Sequence, residues 1–237
     1  MQSAVRAIYP PQCVSCGELT DSEFGLCGPC WRDTGFIGGL TCDLCGTALL
    51  GEEDEIVHCD DCMDEARPWS RGRAVFAFSE NGRRIVTALK YNDRVELARP
   101  AGTWLAAQAA PLISAETLIV PVPLHWMRLL KRRYNQAAEL AKWTGKVLAL
   151  PVLPDALVRV KATPALYTLS SEERIAAMAD VIRPHPKQGR QLRGKPVLLV
   201  DDVMTTGATL SACARALKTA GAVDVCVLVL ARAAKDA

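Results

Sequence analysis

The stretch VLLVDDVMTTGATL, residues 197 to 210, sets two acids and a run of small hydroxyl residues directly behind an apolar strand. Side chains that follow one another at a strand end diverge. Asp201 and Asp202 can therefore accept hydrogen bonds from the vicinal hydroxyls of a ribose, or hold Mg²⁺ through water. Thr205, Thr206, Gly207, Ala208 and Thr209 follow, with hydroxyls and backbone N–H groups suited to wrapping a phosphate at the positive end of the next helix. The pattern fits a sugar recognised beside its own 5-phosphate. It has no Gly-Lys-Ser/Thr step and no G-x-G-x-x-G turn. The plain alternative is an ordinary strand-to-helix turn with an Asp-Thr cap.

A second chemistry lies at the other end of the chain. Eight of the ten cysteines precede residue 63, as four C-x-x-C knuckles: Cys13/Cys16, Cys27/Cys30, Cys42/Cys45 and Cys59/Cys62. Two knuckles supply the four thiolates of a tetrahedral zinc site, so the eight suggest two Zn²⁺ ions in closed, structural sites. Sequential pairing is the simplest; interleaved pairing and the loss of one site stay open. Buried reduced thiols or a redox pair are the plainer readings of a lone C-x-x-C, and four knuckles favour metal. His58 is expected to be a solvated loop residue. Cys213 and Cys226 are expected to be packing residues.

The chain has 237 residues, half of them hydrophobic, and a net charge of +2. That composition excludes disorder as the main state. Its longest apolar runs, such as 147 to 154 and 225 to 231, fall far short of the roughly 20 residues of a membrane-spanning helix. No secretory signal is visible at the start, so a reducing, cytosolic setting is expected. The net charge hides an asymmetry. Residues 1 to 68 carry 3 Lys/Arg against 13 Asp/Glu, a formal −10, and residues 69 to 237 carry 25 against 13, or +12. The acidic segment would repel phosphate and suits protein docking. The basic segment suits single-stranded DNA. We read a domain at 1–66, too short for an apolar core without metal, and a second at 69–237, with a hinge at Arg67-Pro68.

The elements that must position these groups alternate along the second domain. Strands are predicted near 72 to 80, 118 to 123, 156 to 160, 196 to 202 and 224 to 232. Helices are predicted near 82 to 90, 97 to 110, 135 to 148, 171 to 178 and 209 to 220. The alternation predicts an α/β fold, a mainly parallel sheet flanked by helices. Between them runs VPVPLHWMRLLKRRYNQ, a basic loop with Arg128, Lys131, Arg132 and Arg133 that could meet a pyrophosphate. A solvated charged surface is the alternative. Trp126 and Tyr134 could stack bases but are more readily core residues, Trp126 above all. His125 is expected to be a polar loop residue, or less readily a general base.

Residues 197 to 210 resemble the signature of type I phosphoribosyltransferases, which bind phosphoribosyl pyrophosphate (PRPP) with Mg²⁺. The resemblance implies ribose contacts for Asp201 and Asp202, the catalytic acids, and 5-phosphate binding by the loop, with Val203, Thr205, Thr206, Gly207, Ala208 and Thr209 in the PRPP site. Taken with the four knuckles, LKYNDRVELA at 89 to 98 and P-V-P-L-H-x-x-R-L-x-x-R-x-x-N-Q, nearly the whole chain resembles the ComF family of competence proteins. Thr163, Leu169 and Arg174 of the middle region match as well. The resemblance implies a zinc ribbon fused to a phosphoribosyltransferase-like domain that serves DNA uptake. Val122 and Pro123 fall in its pyrophosphate loop, and Arg128, Arg132 and Arg133 in a flexible basic loop that closes over the site. A DNA translocase or helicase is the partner expected for the ribbon. Trp126 stands where the family has proline, Arg133 for glycine, Leu166 for glutamine and Ala177 for asparagine.

Overall fold

The computed structural model describes residues 10–51, 56–91, 94–161 and 181–233. The helix expected at 171 to 178, with Thr163, Leu166, Leu169, Arg174 and Ala177, lies outside them.

Four strands form the main sheet: β1 (Arg71–Ala77), β2 (Leu118–Pro121), β5 (Pro196–Met204) and β6 (Asp224–Arg232), in the order β1-β6-β5-β2. All three pairings are parallel. β5 and β6 are central and almost continuously apolar, as strands covered on both faces must be. Their alternate residues divide between two cores. Val197, Leu199, Val225, Val227 and Val229 face one side, with the final helix α7 (Ala208–Thr219). Leu198, Val200, Cys226, Leu228 and Leu230 face the other, with α3 (Glu80–Tyr91), α4 (Ala98–Gln108) and α6 (Gln136–Leu148).

Two short helices, α1 (Gly28–Asp33) and α2 (Asp60–Asp64), belong to the cysteine-rich region. Its two halves pack on opposite faces of the sheet. Val14 joins the core under α3 and α4, where Asn81 donates to the Cys30 carbonyl at 3.1 Å. Cys42, Cys45 and Cys62 join the core under α7. There the 42–46 turn lies directly on β1: the Gly72 N–H donates to the Asp43 carbonyl at 2.7 Å and the Trp69 indole N–H to the Leu44 carbonyl at 2.6 Å. Arg67, expected at a hinge, has a side chain only 2% exposed.

Two further expectations need correction. The basic segment is not a loop throughout: 126–132 forms helix α5 (Trp126–Arg132), whose first turn is capped by His125 accepting from the Met127 N–H at 3.3 Å. It ends at Arg133 in the left-handed region, φ 66°. That conformation is the usual helix stop for glycine, which accounts physically for the family's residue at this position. The strand expected at 156 to 160, observed as β3 (Leu157–Arg159), leaves the main sheet and pairs antiparallel with β4 (Ile182–Pro184).

Gly46 has φ +70°, and a Cβ there would lie 2.4 Å from the Ala74 nitrogen. Gly46→Ala therefore combines left-handed strain with a backbone clash and should cost at least about 2 kcal/mol. An unchanged thermal melt would show that the turn does not press on β1.

Candidate ligand site at the end of the central strand

β5 carries Asp201 and Asp202 toward its C-terminal end on opposite faces of the sheet. Asp202 turns toward α3, where it is 8% exposed and pairs with the Lys90 ammonium at 2.9 Å. Burial works to lower the Lys90 pKa, but the charge and hydrogen bond of Asp202 together with the charges of Asp201 and Tyr91 outweigh it, and the net shift is upward. Asp201 turns toward the other core and accepts from the Asp202 N–H at 2.8 Å. Its carboxyl is pushed from 3.8 to about 7, first by burial and then by the neighbouring Asp202 charge, against opposing pulls from Lys90 and Arg159. Burial lowers Arg159 in turn, and Arg128 adds to that.

Beyond the acids the chain turns through Thr205 and Thr206 to Gly207, φ +83°, which caps α7. A Cβ at Gly207 would lie 2.9 Å from the Met204 methyl and 3.2 Å from the Trp69 ring, so both conformation and space call for glycine here. A small cavity opens above the loop, lined by Asp201, Val203, Thr205, Thr206, Gly207 and Thr209 among others. Loop amides at the start of a twelve-residue helix suit an anion.

The basic segment contributes unevenly. Val122 and Pro123 are buried beside β5: the Val122 N–H donates to the Val200 carbonyl at 2.9 Å, and Asn135 Nδ2 holds the Val122 carbonyl at 3.0 Å. Arg128 lies near Arg159, and its charge helps lower the Arg159 pKa. Arg132 stacks on Tyr91, 4.9 Å from the ring centre, and also donates to Gln136. Arg133 is exposed at the helix end. Trp126, expected in the core, is 62% exposed, whereas Tyr134 is half-buried and donates to the Leu89 carbonyl. His125 is the buried cap of α5.

Sequence reasoning missed Lys90 and Arg159 as site residues. Each had a signal: a lysine beside the apolar face of a helix, and an arginine inside the short apolar strand ALVRV.

The cysteines gather sequentially, Cys13, Cys16, Cys27 and Cys30 in one quartet and Cys42, Cys45, Cys59 and Cys62 in the other. Within each the sulfur atoms all lie within 4.8 Å of one another. Cys16 and Cys27, and likewise Cys45 and Cys59, stand 3.6 Å apart. A tetrahedron with Zn–S bonds of about 2.3 Å has edges of about 3.8 Å, so both quartets fit Zn²⁺. His58 is exposed, and Cys213 and Cys226 are buried packing residues, as expected.

Residues 4–63 match the double zinc ribbon domain family, and residues 157–237 match the phosphoribosyl transferase domain family. Competence protein F of Haemophilus influenzae is 27% identical over 228 residues, covering 94% of this chain and 97% of its own. DNA utilization protein YhgH of Escherichia coli strain K12 is 29% identical over 220 residues, covering 90% of this chain and 93% of its own. The YhgH protein of Salmonella typhimurium gives the same values. Among solved structures, a Bacillus subtilis glutamine PRPP amidotransferase aligns with 60% of this chain and 30% of its own at 17% identity. Its TM-score of 0.41 is too low to bear on function. The molecule is thus a double zinc ribbon joined to a type I phosphoribosyltransferase-like domain. Over at least nine-tenths of its length the chain is similar to competence protein F and DNA utilization protein YhgH, and the resemblance and fold class read from its sequence are borne out. No helix among the described residues is long and apolar enough to cross a membrane.

Two predictions follow from this geometry. A carboxyl whose pKa rises on folding destabilises the fold increasingly as pH climbs from its ordinary 3.8 to about 7, and by a constant amount above that. Asp201→Asn should therefore raise the melting temperature more at pH 8 than at pH 5; equal gains would rule out proton uptake by Asp201 on folding. Stripping zinc with a chelator should lower the melting transition of the whole chain, because Cys42, Cys45 and Cys62 sit in the sheet's own core. Loss of structure in residues 1–66 alone, read by hydrogen exchange, would contradict this.

Proposed function

We propose that the chain binds PRPP with Mg²⁺ at the end of β5 and transfers its phosphoribosyl group to a nitrogenous acceptor. The observation that carries this reading is the junction itself: two carboxylates diverging from the end of a buried parallel strand, followed at once by a hydroxyl-rich turn capping α7. Asp201 and Asp202 would take the ribose hydroxyls, and the loop from Thr205 to Thr209, with Val203, the 5-phosphate. The acid pair offers oxygens to Mg²⁺, which would neutralise charge on the departing pyrophosphate. Lys90 and Arg159 supply fixed positive charge around the same acids, with Arg128 near Arg159, and the turn at Val122 and Pro123 borders them.

In the reaction the bond from the anomeric carbon to pyrophosphate oxygen breaks, a bond to acceptor nitrogen forms, and the acceptor gives up a proton. Positive charge developing on the ribose ring gains from carboxylates already in place. A neighbouring groove lined by Pro123, Leu124, Trp126, Leu129, Leu157 and Arg159 is where the acceptor would lie. The names of the relatives, a competence protein and a DNA utilization protein, support service in DNA uptake or use. A cytosolic setting suits a chain whose ten cysteines form no disulfide.

One observation favours a second, binding-only reading. Trp126 and Leu130 are 62% and 73% exposed beside Arg128 and Arg132, and Tyr91 is 67% exposed under Arg132. Such interleaving suits single-stranded DNA. The acidic ribbon, at −10, would then face a protein such as a DNA translocase or helicase.

Calorimetric titration with PRPP and Mg²⁺ tests the first reading. Micromolar binding that is lost in the Asp201→Ala/Asp202→Ala double variant is expected, with pyrophosphate release once the acceptor is supplied. A folded wild type that ignores PRPP but binds single-stranded DNA in a salt-dependent manner would transfer the assignment to the second.

A further inference from the structure

We propose that Arg67 and Arg232 are positioning residues that hold the phosphate-loop backbone against the second cysteine quartet, so that zinc in that quartet and PRPP in the loop stabilise each other. The inference rests on the transferase reading of the loop.

Both arginines are buried, with side chains only 2% and 4% exposed. Each reaches in two directions. Arg67 donates to the Thr206 carbonyl at 2.9 Å and pairs at 3.2 Å with Glu65, which flanks the Cys59/Cys62 knuckle. Arg232 donates to the Thr205 carbonyl at 2.8 Å and the Met204 carbonyl at 3.3 Å, and its other end lies 3.8 Å from Asp61, the neighbour of Cys62. The loop's carbonyls at 204, 205 and 206 are thus all drawn to one side by two cations.

Peptide planarity makes this consequential. In a trans peptide the C=O and the following N–H point in opposite directions. Carbonyls drawn inward therefore turn the N–H groups of Thr205, Thr206 and Gly207 outward, toward the cavity where a phosphate would sit. Donors fixed beforehand cost little to organise when the anion arrives.

Charge accounts for why the two guanidinium groups are buried here. Four thiolates around Zn²⁺ carry a net −2, which two buried guanidinium ions balance. Glu65, 3.2 Å from Arg67, and Asp61 are partly exposed and screened by water, so they hold the arginines less firmly. Among the described residues the first quartet shows no such connection to the loop; it lies beside Asn81, on the opposite face of the sheet.

Linkage is reciprocal, so the test can use the unaltered protein. The rate of zinc loss to a chromogenic chelator is measured on the full chain with and without saturating Mg²⁺-PRPP. Release of one of the two zinc ions is expected to slow roughly tenfold, within the usual range of coupling between sites, while the other is unaffected. Arg67→Met should keep two zinc ions and its circular dichroism, bind PRPP roughly tenfold more weakly, and lose the protection; Arg67→Lys should restore part of both. PRPP binding to the wild type without any slowing would overturn the coupling and leave the transferase reading intact. Failure of PRPP to bind the zinc-loaded wild type would overturn the transferase reading and the coupling with it.

Discussion

Four thiols held within 4.8 Å of one another can all ionise only around a cation, and one such quartet in this chain lies in the core of the sheet domain. Cys42 and Cys45 are fully buried, packed in the same cluster as Trp69, Met204 and Val229. The metal site thus does for this face of the sheet what a helix with an apolar stripe does elsewhere. The turn that presents Cys42 and Cys45 lies against the β1 backbone, close enough at Gly46 to exclude a methyl group. Moving that turn would disturb β1, the strand beside β6.

The candidate site inherits its geometry from this arrangement. β5 lies between β2 and β6, parallel to both, and one face of it is covered partly by α7 and partly by the cysteine-rich region. The strand therefore ends at a fixed point, and its final residues alternate between faces as strictly as its core residues do. Asp202 meets Lys90 from α3, and Asp201 feels Arg159 from β3. The two acids are adjacent in the chain yet see different surroundings. One is paired with a cation at 2.9 Å, and the other is desolvated and raised to about 7. Ribose hydroxyls and a metal ion would find one carboxylate already neutralised by its partner and a second whose charge responds to pH and to the ligand itself.

Much of this was legible beforehand, for identifiable reasons. The acid pair, the hydroxyl loop and the four knuckles are local patterns, in which a few consecutive residues carry all the chemistry. The parallel strands were legible because burial on both faces leaves an unbroken apolar run, as at Leu198, Leu199 and Val200. The basic segment misled because four cations among RLLKRR look solvated, while helix formation there was settled by a histidine cap and a left-handed arginine that no periodicity reveals. Trp126 misled in the opposite sense: tryptophan is usually buried, and here it stands on a short helix that presents it to solvent.

The sequence by itself determined which groups exist and which neighbours along the chain share them: eight thiols in four pairs, two carboxylates at a strand end, a glycine turn and a basic stretch. These are determined locally because they depend on spacings of a few residues. Only the tertiary structure decided that the knuckles pair sequentially, that the two quartets lie on opposite faces of one sheet, and that Arg67 and Arg232 join the second quartet to the loop. Those relations link residues as far apart in the chain as Asp61 and Arg232. They follow from which elements cover which face of the sheet, and that is settled by the burial of whole surfaces.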